Sequence, residues 1–134
     1  MLFALGSANA LADELPIDAA LEAGQRFDGR IAFTGDVDRV TISGMPGARI
    51  RLVAKAIDDA QVRPRFDVWS DGTLLDPPQK DVRVAAAGRL FAIDRIQLPS
   101  SGVIDVRIHA ATGALGRYRL RSDEIVPQRV AESP

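Results

Sequence analysis

Few residue types in this 134-residue chain are suited to chemistry. Cysteine is absent, which removes thiol nucleophiles, disulfides and cysteine metal sites. The single histidine, His109, falls in the alternating run Val103–Ala110, on the polar side with Asp105 and Arg107. Nucleophilic catalysis needs a base held beside the nucleophile. Ser43, Ser70, Ser100 and Ser101 all stand at strand ends or turns, with no histidine in step with them. No catalytic constellation is read, and the expectation is a protein that is not an enzyme. Carboxylates are plentiful, and two of them could form a hydrolase pair if suitably separated. Sequence does not supply that separation, so a small carboxylate-based hydrolase ranks as the least favoured reading.

Asp36-x-Asp38, in the polar turn after Phe33, is the calcium candidate. Two carboxylates in a glycine-containing loop offer hard oxygen ligands, and backbone carbonyls could complete the ~6–8 that calcium takes. The competing role is local, because aspartate side chains in turns accept hydrogen bonds from nearby backbone N–H groups. No other cofactor is indicated. Arginine dominates the outward positions, with Arg49, Arg51 and Lys55 in one stripe and Arg107, Arg117, Arg119 and Arg121 in another. Guanidinium groups suit bidentate contact with carboxylate, sulfate or phosphate. If the last two strands are neighbours, the second stripe is a continuous face for an acidic protein or glycan. Paired with acids on adjacent strands, it is only a solvated sheet surface. Trp69 lies opposite in parity to Phe66 and Val68; an exposed indole there would anchor a sugar or a protein, unless the Asp76-Pro77-Pro78 loop covers it.

The elements that must position these residues are strands. Gly102–Ser122 reads as an antiparallel hairpin, with Ile104, Val106, Ile108, Tyr118 and Leu120 inward. Arg26–Phe33 alternates with Phe27, Ile31 and Phe33 inward, Arg39–Ser43 with Val40 and Ile42, and Ala48–Ala56 with Ile50, Leu52 and Ala54. Asp71-Gly72 signals a tight hairpin after Arg65–Ser70. In Leu90–Leu98 the inward frame switches between Ile93 and Ile96, which predicts a β-bulge at Asp94-Arg95. Short strands with turn signals every ~8–12 residues predict an all-β, single-domain, jelly-roll-like antiparallel β-sandwich.

The order and spacing of these elements resemble the bacterial pre-peptidase C-terminal domain family over roughly residues 17–121. The run is Leu21-x-x-Gly24, Gly29-Arg30-Ile31, Gly35-Asp36-x-Asp38 and the Gly44–Gly47 turn before Ile50-x-Leu52. Phe66-x-Val68 before Asp71-Gly72, Gly102-x-Ile104-x-Val106 and Gly116-x-Tyr118-x-Leu120 complete it. Val40 stands where the family usually carries an aromatic residue, and Ile104 where it carries the first tyrosine of the pair. The resemblance implies a secreted or periplasmic accessory domain without enzymatic activity, whose relatives in some cases bind calcium or matrix proteins.

A formal net charge of -1 gives no whole-molecule attraction to nucleic acid, and aromatics at 5% leave few stacking platforms, so no nucleic-acid partner is expected. Residues 1–12 are small and apolar, with Ala8-Asn9-Ala10 and Ala10-Leu11-Ala12 fitting a signal-peptidase pattern, and read as a signal-peptide remnant. Nothing reaches the ~18 apolar residues of a membrane span. Residues 13–124 are expected to form the sandwich and 125–134 a tail. The preferred function is a periplasmic or secreted binding module for a protein or polysaccharide partner, acting through Arg107, Arg117, Arg119, Arg121 and Trp69. The alternative is an envelope-assembly protein acting through its sheet edges.

Overall fold

A computed structural model describes residues 18–125; the expected signal remnant and all of the expected tail but Ile125 lie outside them. In chain order the strands are β1 (Asp18–Glu22), β2 (Arg26–Ile31), β3 (Asp38–Ser43), β4 (Arg49–Ala56) and β5 (Pro64–Ser70). There follow β6 (Thr73–Leu74), β7 (Val82–Ala85), β8 (Leu90–Gln97), β9 (Val103–Ala110) and β10 (Gly116–Ile125). They form two sheets, ordered β1-β3-β9-β5-β6 and β2-β10-β4-β8-β7. Every pairing is antiparallel except β1 with β3. No helix among the described residues is long and apolar enough to cross a membrane.

The alternation expected from sequence puts one apolar row per strand between the sheets. Val40, Ile42, Phe66, Val68, Ile104, Val106 and Ile108 meet Ile31, Ile50, Leu52, Ile93, Ile96, Tyr118 and Leu120, all fully or nearly buried. Each such aliphatic side chain contributes about 1.5–3 kcal/mol by leaving water. Phe33 departs from the expected row. It lies past the end of β2 and is 36% exposed, because the chain turns at Phe33–Asp36 before the pleat can carry it inward.

The bulge is present where the parity switch predicts it. Ile50 pairs with Ile96 and Leu52 with Ile93, so Asp94 and Arg95 together oppose Arg51. The extra residue lets Ile93 and Ile96 both face inward across one strand. At Asp71-Gly72 both residues have positive φ, 51° and 82°, as a two-residue hairpin turn between paired Ser70 and Thr73 requires.

The last two strands do not form a hairpin. β9 pairs with β3 and β5 in one sheet, whereas β10 pairs with β2 and β4 in the other. Residues 111–115 carry the chain across the sandwich, spanning the ~10 Å between packed sheets. Alternation assigned both inward rows correctly, but parity says only which face a residue takes and nothing about the neighbouring strand.

Candidate functional site

This crossing splits the expected arginine face. Arg117, Arg119 and Arg121 point out from the second sheet, and Arg107 points out from the first, on the opposite side of the molecule. In exchange, the topology unites the two stripes that were read separately. β10 lies between β2 and β4, so its arginines share a surface with Arg26 and Arg30 of β2 and with Arg49, Arg51 and Lys55 of β4. Strands ~4.8 Å apart with same-face residues ~6.8 Å apart make this a broad, flat, basic field.

Several of these cations are held by acids. Arg119 makes a forked contact with Asp28, Nε to Oδ1 at 2.7 Å and Nη2 to Oδ2 at 3.1 Å. That hydrogen bond is the main reason the Asp28 carboxyl is held below its ordinary value. Arg117 Nη1 donates to Asp58 Oδ2 at 2.6 Å, and Arg121 Nε to Asp123 Oδ2 at 3.2 Å. Beside the field, Arg83 donates to Asp94 at 2.9 Å and Arg51 Nε stands 3.5 Å from the same oxygen; the Arg83 bond chiefly holds the Asp94 carboxyl low. Arg26, Arg30, Arg49 and Lys55 are exposed and have no ion pair among the described residues. The field therefore stays positive after its internal pairs are formed, in a chain whose formal net charge is -1.

Arg107 and Trp69 come together on the outer face of the first sheet. β9 runs between β3 and β5, placing Arg107 between Asp67 and Arg39 and placing Asp105 beside Trp69. The Arg107 guanidinium sits 4.9 Å from the centre of the indole, and its Nη2 donates to Asp105 Oδ2 at 3.2 Å. Arg39 Nη2 reaches the same oxygen at 3.1 Å. Trp69 is half-buried, and what stacks over its ring is arginine. Asp76 and Pro77 of the loop expected to cover it line a different cavity. A shallow hollow of about 390 Å³ runs from Trp69 and Arg107 to Asp71, Gly72 and Ser101. Sequence reading missed Arg39 as a member of this group. Asp105-x-Arg107 was visible as an outward pair, but Arg39 joins only through the β3–β9 register. His109, also outward, has Nε2 3.4 Å from Asp67 Oδ2.

Asp36 and Asp38 are buried, at 1% and 0% exposure. Asp38 occupies the inward row of β3, and the Tyr118 hydroxyl of the opposite sheet donates to its Oδ2 at 2.6 Å. Burial, then that hydrogen bond, raises the phenol far above its ordinary value of 10.0. Asp36 Oδ2 accepts the Ala32 N–H at 2.8 Å and closes the turn, while its Oδ1 is buried without a hydrogen-bond partner. No group of three or more His, Cys, Asp or Glu side chains is gathered as a metal site among the described residues. Any calcium held by Asp36 and Asp38 would depend on backbone oxygens for the rest of its shell.

No protein-family model matches the chain, and no curated protein matches it in sequence. Among solved structures it is similar to the pre-peptidase C-terminal domain of a collagenase from Bacillus anthracis, with a TM-score of 0.59 and 11% identity, covering 81% of this chain and 96% of that one. It is also similar to PliG of Salmonella Typhimurium, a periplasmic inhibitor of g-type lysozyme, with a TM-score of 0.53 and 13% identity over 81% of this chain and 99% of that one. What is shared at these identities is the fold. The family resemblance read from the order of turns and strands is thus met in three dimensions, at the level of architecture.

Proposed function

We propose that the protein is a non-catalytic accessory module of the periplasm or exterior that docks an acidic partner on the outer face of β2, β10 and β4. The observation that carries this reading is the set of exposed, unpaired cations, Arg26, Arg30, Arg49 and Lys55, around the arginines of β10. A field of one sign on a near-neutral molecule steers and orients a partner of the other sign. A flat sheet face without a cleft suits a polymer or a protein surface better than a small substrate. The compartment rests on the signal-like residues 1–12 and on a fold shared with a periplasmic lysozyme inhibitor and the pre-peptidase C-terminal domain of a collagenase.

The test is co-sedimentation with peptidoglycan, polygalacturonate and a panel of acidic secreted proteins at low and high salt, beside an Arg26/Arg30/Arg49/Lys55→Ser variant. These positions carry no ion pair, so their removal orphans no aspartate. Retention that falls with salt and in the variant supports the reading, and the retained matrix separates polysaccharide from protein. Retention of equal strength in the variant discards the face, and no retention anywhere discards the acidic partner.

A second reading rests on the Trp69–Arg107 stack, since tryptophan and arginine are the residues that most often anchor protein interfaces. Trp69→Ala with Arg107→Ser tests it in the same panel. Calcium at Asp36 and Asp38 is proposed on the footing of the unpartnered Asp36 Oδ1. A rise in Tm with added calcium that Asp36→Asn abolishes supports it. An unchanged Tm leaves the two carboxylates to the turn and to Tyr118.

A further inference from the structure

A cavity of about 480 Å³ lies away from both faces, at the seam where the two sheets end on the same side. Its lining includes the consecutive residues Phe66, Asp67 and Val68 of β5 and Arg95, Ile96 and Gln97 of β8. Consecutive residues in a strand point to opposite faces, so a hollow touched by all of them runs along the strand edges. Both edges are short of partners there. Among the described residues β6 pairs with Trp69 and Ser70, the Leu75 N–H donates to Val68 C=O at 2.8 Å, and β7 pairs with β8 only from Leu90 to Ile93. No described strand covers β8 beyond Ile93.

The backbone of that edge faces outward. Leu98 N–H donates to Ala48 C=O, and Leu98 C=O accepts from Gly47 N–H, so both Leu98 groups point toward the β4 side. Backbone groups alternate along an antiparallel strand, so the Gln97 N–H and C=O point the other way, into the seam. Phe66, Leu75, Val82 and Ile93 wall the hollow with apolar surface. Its lining also carries Arg95, Asp67 and Asp76; Asp67 is met by His109 at 3.4 Å, while Asp76 has no ion pair among the described residues. The bulge at Asp94-Arg95 ends the line that β7 would have continued.

We propose that this seam is a docking groove for an extended segment of a partner protein, which adds to the β8 edge at Gln97 as a short strand. The segment places an apolar side chain in the hollow and a basic one opposite Asp76. Strand addition of this kind takes its affinity from main-chain hydrogen bonds and its selectivity from pockets for alternate side chains. Occupancy by an apolar and a cationic side chain follows from the apolar walls and from the Asp76 carboxylate. The groove uses neither the basic face nor Trp69, so it stands apart from the function proposed above.

The probe is a capped library, acetyl-Lys-Thr-X-Thr-X-Thr-Lys-amide, with X drawn from Val, Leu, Ile and Phe, added to the full chain and followed by amide hydrogen exchange. At saturation the Gln97 amide is expected to exchange at least about tenfold more slowly, the signature of a new main-chain hydrogen bond. Gln97→Pro removes only an outward N–H, which an edge strand tolerates, and is expected to weaken binding at least about tenfold. Val82→Phe, which fills the hollow, is the second variant should the proline lower stability. Arg26/Arg30/Arg49/Lys55→Ser and Trp69→Ala are expected to bind the peptides unchanged. No protection of Gln97 by any member of the library overturns the proposal, as does peptide binding that leaves Gln97 unprotected. Concentration-dependent protection of Gln97 without peptide assigns the edge to a second copy of this chain and overturns it equally.

Discussion

The hydrogen bond between Tyr118 and Asp38 crosses the core and joins the two sheets. A buried acid that loses one of its donors is left bearing more of the cost of its dehydration. Tyr118→Phe is therefore expected to lower stability by about 2–3 kcal/mol in urea unfolding. Alkaline pH offers an independent check. The folded state holds the phenol neutral well above 10.0, its ordinary pKa, so its contribution is complete below that value. As pH rises beyond 10.0 the unfolded chain ionises first, and stability falls by about 1.4 kcal/mol per pH unit from this group. Tyr118→Phe should lack that component, and equal slopes in the two proteins would show that the hydroxyl is not buried as described. Trp69 is the sole tryptophan, so its emission reads the other face directly. Removing the stacked guanidinium with Arg107→Ser should shift that emission to longer wavelength while leaving the unfolding midpoint nearly unchanged.

Among the elements, β2 and β8 each carry a feature whose removal has a definite sign. Gly29 sits on the inward row of β2 directly opposite Tyr118, where a Cβ would come within 2.5 Å of the phenol oxygen and 2.8 Å of the Phe27 ring. The fully buried Tyr118 ring has no room to retreat, so Gly29→Ala is expected to cost about 1–3 kcal/mol by overpacking. The glycine is needed there for space. In β8, three steps lead from Ile93 to Ile96 in the register where β4 needs only two, from Leu52 to Ile50. Deleting Arg95 would make the counts equal and keep both isoleucines inward, so the deletion is expected to fold, with Tm lowered modestly. Inserting a residue at the same place sets four steps on β8 against two on β4, which keeps the inward parity but slides Ile96 and Leu98 two positions past their β4 partners, and should cost more stability than the deletion. A deletion as damaging as the insertion would mean that the bend supplied by the bulge, rather than the register, is what the fold requires.

At the scale of the whole molecule, charge is sorted by face while the total stays near zero. Asp28 and Asp94 owe their lowered pKa values chiefly to hydrogen bonds from Arg119 and Arg83. Their folded pKa values lie below 3.8, the unfolded reference, so the stability they add is present above 3.8 and is lost as pH falls through the folded values. Arg119→Ser should therefore narrow the difference in stability between neutral and acid pH, as followed by urea midpoints down that range. The pairs are exposed, and each contributes only ~0–1 kcal/mol, so salt should change stability little. It should change partner binding strongly, because Arg26, Arg30, Arg49 and Lys55 form no ion pair among the described residues and present their charge to solvent.

The primary structure alone determined the strands β3, β4, β5, β8, β9 and β10 with their inward rows, the hairpin at Asp71-Gly72 and the bulge at Asp94-Arg95, but neither the outward place of Phe33 nor the entry of Asp38 into β3. Those features depend on side-chain parity and local turn chemistry, both of which are written in consecutive residues. Which strands lie side by side was decided only by the tertiary structure, because parity is the same for any neighbour. That decision sent β9 and β10 to different sheets, parted Arg107 from Arg117, Arg119 and Arg121, and set the latter beside Arg49, Arg51 and Lys55. It brought Arg39 to Asp105 across an unforeseen register. It also turned Asp38 from a loop acid into a core residue, since only a facing sheet could offer the Tyr118 hydroxyl that makes its burial tolerable.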